Sequence, residues 1–408
     1  MPSPSRTPLL RCAALTGAVV AALGAAQPAA AARNPAQTPL PSWQVLAPGW
    51  TGANKELGRV NAILRVGRTV YLGGNFTVMA NHSGRIATRW RLAAVSAGTG
   101  KLHRRFHPLI NGRVYSLAVS PGGRFLFVAG QFTAVGAHPR HNLAAFNLRT
   151  GRLAKKLPDL GISGTVRTVA VSATGRVYIG GTFGRVAGSP RANLAKLVLR
   201  GNRYTLNRRW APSTNGEVRD IVLAAKAARV VVGGGFTSVD GHSGQTSIAA
   251  LGPGRGLVRP WASHPQSLIL DLALCGNRVY AAEGGPGGTA LAYGLKGYLK
   301  WFYVTDGNVQ ATSCVSHRPV FGMHGDFVAP HRNQKMSEHG SGKRIQRHKL
   351  FMLTRSGVLE RWNPDLSSTA GVLGVWSLAA GGGNLYVGGD FTGIHGRAQQ
   401  RFAILPHR

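Results

Sequence analysis

One phrase recurs along this chain and limits its fold more than any other feature. The phrase is a β-prone segment with the pattern Val-Tyr-x-Gly-Gly-x-Phe-Thr, followed by an apolar Leu-Ala-Ala segment and an aromatic-x-Pro segment. Its clear copies place a phenylalanine at Phe76, Phe132, Phe183, Phe236, Phe327 and Phe391. These are 51 to 64 residues apart, except for one gap of 91 that the degenerate copy VYAAEGG from Val279 divides. Seven copies at such a period indicate a repeat architecture.

Each repeat holds four short apolar runs separated by turn residues, and no helical periodicity lies between them. The 56 glycines among 408 residues suit tight turns and close backbone contacts. The pattern therefore predicts an all-β fold, a seven-bladed β-propeller of four-stranded blades in a single domain over residues 42–408. The last repeat lacks its fourth strand, whereas Trp43–Pro48 resembles one. We expect this N-terminal strand to complete the last blade and close the ring.

The first 32 residues have the organisation of a secretory signal peptide. Arg6 and Arg11 precede an apolar stretch from Ala13 to Ala26, and small residues follow at 29–32. The apolar stretch is too short for a membrane span, so we expect cleavage and export of a chain that lacks a transmembrane segment. Residues 33–41 form a Pro-rich lead-in.

The repeat phrase, with the Arg-x-Asn-Leu-Ala and aromatic-x-Pro segments that follow it, resembles the delta-60 repeat propellers of exported bacterial proteins. The resemblance covers most of residues 42–408, although the fifth copy lacks the phenylalanine and the sixth carries an insertion. That family is defined by its repeat and not by a catalytic motif. The resemblance therefore implies fold and export, and it transfers no active-site residue.

The charge of the chain is the main indication of function. The chain has 49 Lys and Arg but only 13 Asp and Glu, and without the first 32 residues its formal charge is +34. So few carboxylates disfavour carboxylate metal sites and carboxylate-pair catalysis. A surplus of arginine suits the binding of anionic groups.

The segments that join second to third strands carry most of the recurring Arg and His residues. In a propeller they emerge on one face together with the segments that lead into each blade. The predicted basic face comprises His82, Arg85, His138, Arg140, Arg191, His242, His395 and Arg397. Two interpretations stay open, a ring that binds anions and side chains that bond neighbouring backbone carbonyls. An anion-binding ring predicts that changing the four arginines to Gln weakens polyanion binding while the melting temperature stays nearly unchanged.

Cys275 and Cys314 end the first strands of neighbouring blades five and six. In an exported chain they are candidates for a disulfide, and buried free thiols or a reactive thiol are the alternatives. The insertion at 328–349 in blade six carries His331, His339 and His348. Their spacing matches no zinc motif, so we interpret it as a basic loop and expect neither metal nor cofactor.

The leading functional hypothesis is an exported, non-catalytic propeller that binds anionic envelope polymers, such as teichoic-type polymers or acidic polysaccharides, or an acidic protein. We expect a monomer, secreted or associated with the cell wall, that binds nucleic acid only non-specifically. One alternative is a protein-interaction scaffold. The other is a hydrolase or lyase acting on an anionic glycan, for which the candidates near strand ends are Glu217, Asp220, Asp306, His324 and Asp326.

Overall fold

The computed structural model describes residues 34–47, 57–263, 265–285, 287–334, 344–368 and 374–407. Within them the chain is all-β, as predicted, and seven larger antiparallel sheets follow one another in chain order. We number these sheets 1 to 7. Their first strands are Val60–Val66, Arg113–Val119, Gly164–Val171, Glu217–Ala224, Ile269–Cys275, Val309–Val315 and Val375–Gly381. Their second strands are Thr69–Gly74, Phe125–Gln131, Val177–Phe183, Arg229–Gly235, Arg278–Glu283, Arg318–Met323 and Asn384–Gly389. The seven repeat copies thus supply the seven second strands.

The outer strands are less regular than the inner ones. The third strands are Leu92–Ser96, Leu143–Asn147, Leu194–Arg200, Ile248–Leu251, Thr289–Gly294, Leu350–Met352 and Phe402–Pro406. Only sheets 3, 4 and 5 have a fourth strand in the described residues, namely Arg203–Leu206, Val258–Arg259 and Leu299–Val304. Sheets 1, 2 and 6 have single bridges in its place, at Leu102, Leu153 and Leu359. Among the described residues, the predicted fourth strand is therefore a regular strand in three of the seven sheets.

Short strands lie between the second and third strands of five sheets. They are Val78–Ala80 with Ile86–Thr88, Ala134–Val135 with His138–Pro139, Arg185–Val186 with Ser189–Pro190, Phe327–Val328 with Ile345–Gln346, and Gly393–Ile394 with Arg397–Ala398. The remaining elements are the strands Gln44–Leu46 and Leu366–Ser367 and the 3₁₀ turns Pro121–Gly123 and Ala225–Ala227.

The paired glycines of the repeat allow two close contacts. A Cβ on Gly388 of sheet 7 would lie 2.7 Å from Val60 Cγ1 of sheet 1, and the first glycines of other pairs meet β-branched residues of the next sheet in the same way. A Cβ on Gly74, the second glycine of its pair, would lie 2.1 Å from the carbonyl oxygen of Arg59 within its own sheet. Both contacts require the absence of a side chain. The pairs therefore have the structural role that the sequence predicts.

Contacts between first strands run from each sheet to the next, and the first strand of sheet 7 contacts that of sheet 1. Buried indoles add hydrogen bonds between neighbouring sheets. The Nε1 atom of Trp210 donates to Gly252 O at 3.0 Å, and that of Trp301 donates to Arg355 O at 3.1 Å, in each case in the following sheet. Aromatic residues of the repeat therefore pack between neighbouring sheets.

The N-terminal segment that lies along sheet 7 differs from the predicted one. Gln44–Leu46, within the predicted Trp43–Pro48 strand, pairs with Val78–Ala80 beside sheet 1. The Pro-rich lead-in takes the outer position instead, because the N–H of Ala36 donates to Pro406 O at 2.6 Å and that of Leu40 donates to Ile404 O at 2.9 Å. Prolines suit an edge strand, whose outward side needs no donors. Nearby Val45 is fully buried among residues of sheets 1 and 7, which holds its strand in this place.

Cys275 and Cys314 lie on the first strands of sheets 5 and 6, with their Cα atoms 5.9 Å apart. This separation is within the range that a disulfide spans. The structure joins the two sulfurs as a disulfide. The bond therefore links two neighbouring first strands.

Candidate functional site

Each sheet has two ends of different character. The loop face is the end where the chain enters the first strands and where second strands lead to third strands. The turn face is the opposite end, where turns join first to second and third to fourth strands. These definitions follow from the antiparallel order of every sheet. The eight residues of the predicted basic face all belong to segments of the loop face.

Two of the predicted arginines on the loop face bind backbone carbonyls. Arg140 and Arg191 lie just before the third strands of sheets 2 and 3, and their NH1 atoms donate to Pro139 O and Pro190 O, each at 2.6 Å. Arg191 also donates from NH2 to Arg208 O at 3.3 Å. Burial, with a smaller contribution from the charge of Arg208, lowers the pKa of Arg191. These contacts correspond to the second interpretation of the predicted ring, bonds to backbone carbonyls.

The other predicted residues are dispersed. Arg85 lines a surface cavity of about 460 Å³ together with Arg89, Arg104 and His107. His82 Nε2 lies 3.0 Å from Gln399 Oε1 of sheet 7. The remaining side chains are exposed on separate segments, at His138, His242, His395 and Arg397. Arg85 therefore lies in a basic cavity, but among the described residues no hydrogen bond joins any two of the eight predicted residues.

The loop face also holds most carboxylates of the described residues. They are Asp159, Glu217, Asp240, Glu283, Asp306, Asp326, Asp365 and Asp390. Several accept N–H groups of the irregular loops: Asp240 Oδ1 accepts from Ser213 at 2.7 Å, and Asp306 Oδ1 accepts from Phe327 at 3.0 Å. Irregular backbone needs such acceptors because it lacks the bonds of a sheet. Carboxylates on this face therefore have a structural use.

On the turn face, neutral side chains accept hydrogen bonds from the N–H groups of the turns. Asn147 Oδ1 accepts the N–H of Arg149 at 3.0 Å, Ser172 Oγ accepts that of Arg176 at 3.1 Å, and Thr354 Oγ1 accepts that of Val358 at 3.0 Å. Asn, Ser and Thr are common in tight turns for this reason. The turns of this face carry no carboxylate in their sequence. The closest along the chain is Glu360, just after the third-to-fourth turn of sheet 6, and it lies 3.7 Å from Arg318.

The turn face carries a large set of exposed basic side chains. We term this set the basic turn surface. Its exposed members are Arg68, Lys101, Arg124, Arg149, Arg152, Arg176, Arg200, Arg203, Lys226, Arg255, Arg259, Lys296, Lys300 and Arg355. Each of sheets 1 to 6 contributes at least one of them. A surface of one sign of charge attracts anions, and guanidinium groups bind carboxylates and phosphates in a bidentate manner.

The candidates for an enzyme fall into two groups. Asp306, His324 and Asp326 line a loop-face cavity of about 480 Å³ with Lys349, whose Nζ lies 2.9 Å from Asp326 Oδ1. Burial and the charge of Lys349 lower the pKa of His324. Glu217 and Asp220 lie instead on the first strand of sheet 4. Burial raises the pKa of Asp220, and it outweighs the hydrogen bonds from Thr168 and other neighbours, which act in the opposite direction.

Among the described residues, no three His, Cys, Asp or Glu side chains are grouped in a way that could hold a metal ion. Of the histidines in the insertion, His339 lies outside the described residues. His348 Nδ1 contacts Asp365 Oδ1. In the same part of the chain, no helix is long and apolar enough to span a membrane.

Three solved structures are similar to this chain over most of its length. The WD40 β-propeller domain of Doa1 superposes with a TM-score of 0.53 at 10% identity, covering 91% of this chain and 97% of that chain. The computationally designed Ika8 protein gives 0.47 at 13% identity, covering 91% of this chain and 100% of its own. The extracellular domain of BT4673, a one-component system from B. thetaiotaomicron, gives a TM-score of 0.47 at 13% identity, covering 89% of this chain and 40% of that chain. No protein-family model and no curated protein matches the chain. The similarity to the Doa1 domain supports a β-propeller fold and nothing about function.

Proposed function

We propose that this chain is an exported, non-catalytic β-propeller with seven blades that binds an anionic polymer of the cell envelope through the basic turn surface. The seven sheets would be the blades, in agreement with the resemblance to delta-60 repeat propellers. The contact of Gly388 with Val60 and the bond from Trp362 Nε1 to Pro35 O at 2.6 Å support closure between the two ends of the domain.

One observation carries the functional part of the proposal. Fourteen exposed Lys and Arg side chains lie on the turn face, whereas its turns contain no Asp or Glu. Internal ion pairs cannot neutralise charges that have no carboxylate near them, so these groups attract anions from solution. Their distribution over six sheets suits an extended polymer, which can contact several turns at once.

The test is a binding series with the mature protein at increasing salt concentration. Teichoic-type polymer and acidic polysaccharide are compared with heparin and DNA, because counterion release alone lets any polyanion bind at low salt. We expect one envelope polymer to remain bound at physiological salt after heparin and DNA have dissociated. Equal binding to every polyanion, lost together as salt rises, would contradict a specific polymer site.

A scaffold for an acidic protein is the second candidate, and exposed apolar residues favour it. The third-to-fourth turns of sheets 4, 5 and 6 each carry one exposed apolar side chain, at Leu257, Tyr298 and Val358. These side chains are 58–64% exposed. Each directly follows a glycine of its turn, so the three occupy equivalent places. Apolar groups beside basic ones fit a protein surface better than a polyanionic polymer. Replacing all three by Ser should abolish binding of such a protein and leave polymer binding intact.

A further inference from the structure

The first strands share a bulge that directs one residue of each sheet to a common cavity. The register of every first strand skips one residue opposite the second strand, for example between Val60 and Ala62 in sheet 1. The skipped residues are Asn61, Tyr115, Arg167, Arg219, Leu270, Gln310 and Trp376. All seven line one cavity of about 400 Å³. Bulges commonly re-aim a side chain toward a functional site.

Two arginines of this cavity are held by one carboxylate. Glu217 Oε1 accepts from Arg167 Nε at 2.7 Å, and its Oε2 accepts from Arg219 Nε at 2.6 Å. The guanidinium of Arg167 also lies over the ring of Tyr115, 4.3 Å from its centroid. Because Glu217 bonds the Nε atoms, the terminal nitrogens of both groups remain available for a ligand; no bond from them to a described residue is found. Two guanidinium groups against one carboxylate leave one positive charge in this cluster.

The opposite wall of the cavity supplies polar and aromatic groups. Gln310 is only 4% exposed, and its Oε1 has no hydrogen-bond partner among the described residues. This oxygen is enclosed by protein atoms beside Gly374, so it belongs to the wall behind the cavity surface. Trp376 is fixed by its Nε1 bond to Asp390 Oδ1 at 3.1 Å and by Arg59, whose Cζ lies 4.0 Å from the ring centroid. The cavity is thus preorganised on both sides.

We propose that this cavity binds a small molecule that carries an oxyanion, either a carboxylate or a phosphate. The terminal nitrogens of Arg167 and Arg219 would bind the oxyanion, as planar guanidinium groups do, and the amide side chains of Asn61 and Asn308, which line the same cavity, would contact the rest of the molecule. A volume of about 400 Å³ lies in the range of small-ligand pockets. The site is at the loop-face end of the first strands and shares no residue with the basic turn surface.

The test measures the binding of inorganic phosphate and of acetate by calorimetry at constant ionic strength. The cavity variant Arg167→Gln with Arg219→Gln is compared with Arg149→Gln plus Arg152→Gln, which removes the same charge from the turn face. We expect saturable binding of at least one anion, at one site, that weakens at least tenfold in the cavity variant and less than twofold in the turn-face variant. Equal weakening in both, or no one-site binding in the unmodified protein, would overturn the proposal.

A second variant tests whether the planar shape of the guanidinium group, and not only its charge, is needed for binding. It also controls for a loss of structure in the double variant. Arg219→Lys keeps the charge but lacks the planar fork that binds an oxyanion with two parallel bonds. We expect it to weaken anion binding about fivefold with an unchanged melting temperature. Unchanged affinity in this variant would contradict bidentate binding by Arg219. Since the polymer assay uses the turn face, the cavity can fail this test while the proposed function stands.

Discussion

The two faces of this molecule stabilise their connections with different chemistry. Loops of the loop face are capped by carboxylates, such as Asp240 and Asp306, as well as by asparagines, such as Asn111 and Asn215, and some of its arginines bond carbonyls. Turns of the turn face are capped by the neutral side chains of Asn147, Ser172 and Thr354. The few acids of the chain are therefore used where irregular backbone requires strong acceptors. The basic residues of the turn face remain without them.

This difference shows that a large net charge does not by itself locate a binding surface. Both faces are rich in arginine, but on the loop face part of that charge lies beside carboxylates and backbone acceptors. On the turn face the turns contain no carboxylate. We therefore assign the proposed polymer binding to the face whose turns lack carboxylates, and for this assignment the distribution of 13 acidic residues is more informative than that of 49 basic ones.

The largest expected effect on stability is at Asp390, a loop-face carboxylate. Its fully buried side chain accepts from Arg59 Nε at 2.9 Å and from the N–H of Gly374 at 2.8 Å. We expect Asp390→Ala to reduce the free energy of unfolding by about 3–5 kcal/mol, because it leaves a buried guanidinium without its carboxylate. The turn-face control Asn147→Ala should cost about 1 kcal/mol. Urea unfolding measures both, and equal losses would contradict the difference between the two kinds of cap.

A smaller effect is expected when one arginine from each face is replaced. Arg191→Gln loses bonds to two carbonyls and should lower the free energy of unfolding by about 1 kcal/mol, with little effect on polymer binding. Arg203→Gln, on the exposed turn of sheet 3, should change stability by less than about 0.5 kcal/mol and weaken polymer binding. Thermal unfolding and binding are measured on both proteins. The reverse assignment of effects would refute the distinction between bonded and available arginines.

The smallest expected effect is a pH dependence at Asp159. Burial opposes ionisation of this carboxyl, but hydrogen bonds from the backbone and ring of His141 and from the N–H of Gly161 outweigh it, so the pKa of Asp159 is lowered. A lowered native pKa stabilises the fold above the unfolded value of about 4, and the effect is lost as pH falls through the native pKa. We expect Asp159→Asn to lower the melting temperature slightly at pH 7 and not at pH 2.5. A difference that is the same at both pH values would contradict ionic capping; Asn147→Ala should show that constant difference.

The sequence was sufficient for the coarse fold, because the repeat carries the information locally. The glycine pairs, the seven second strands and the packing of the indoles all follow from the phrase itself. The segment that pairs with the third strand of sheet 7 could not be predicted in the same way. Trp43–Pro48 resembles a fourth strand, but the burial of Val45 beside sheet 1 depends on contacts between distant parts of the chain.

The sites were less predictable from sequence than the fold. Arg140 and Arg191 recur in the repeat because a carbonyl beside each accepts a bond, and recurrence alone cannot distinguish that role from ligand binding. The absence of Asp and Glu from the turns was visible in the sequence and could have indicated the turn face. The cavity of Arg167 and Arg219 depends on bulges, whose effect on side-chain direction needs the structure.

The most direct test compares two variants that each lose four arginines. The turn-face variant carries Arg149→Gln, Arg152→Gln, Arg200→Gln and Arg203→Gln, and the loop-face variant carries Arg85→Gln, Arg140→Gln, Arg191→Gln and Arg397→Gln. The slope of the logarithm of polymer affinity against the logarithm of salt concentration is measured for both, beside the melting temperature. We expect the turn-face variant to lose roughly three units of slope at an unchanged melting temperature, and the loop-face variant to keep its slope and melt earlier. Loss of slope in the loop-face variant alone, at unchanged stability, would contradict the assignment of anion binding to the turn face and support the ring of loop-face arginines.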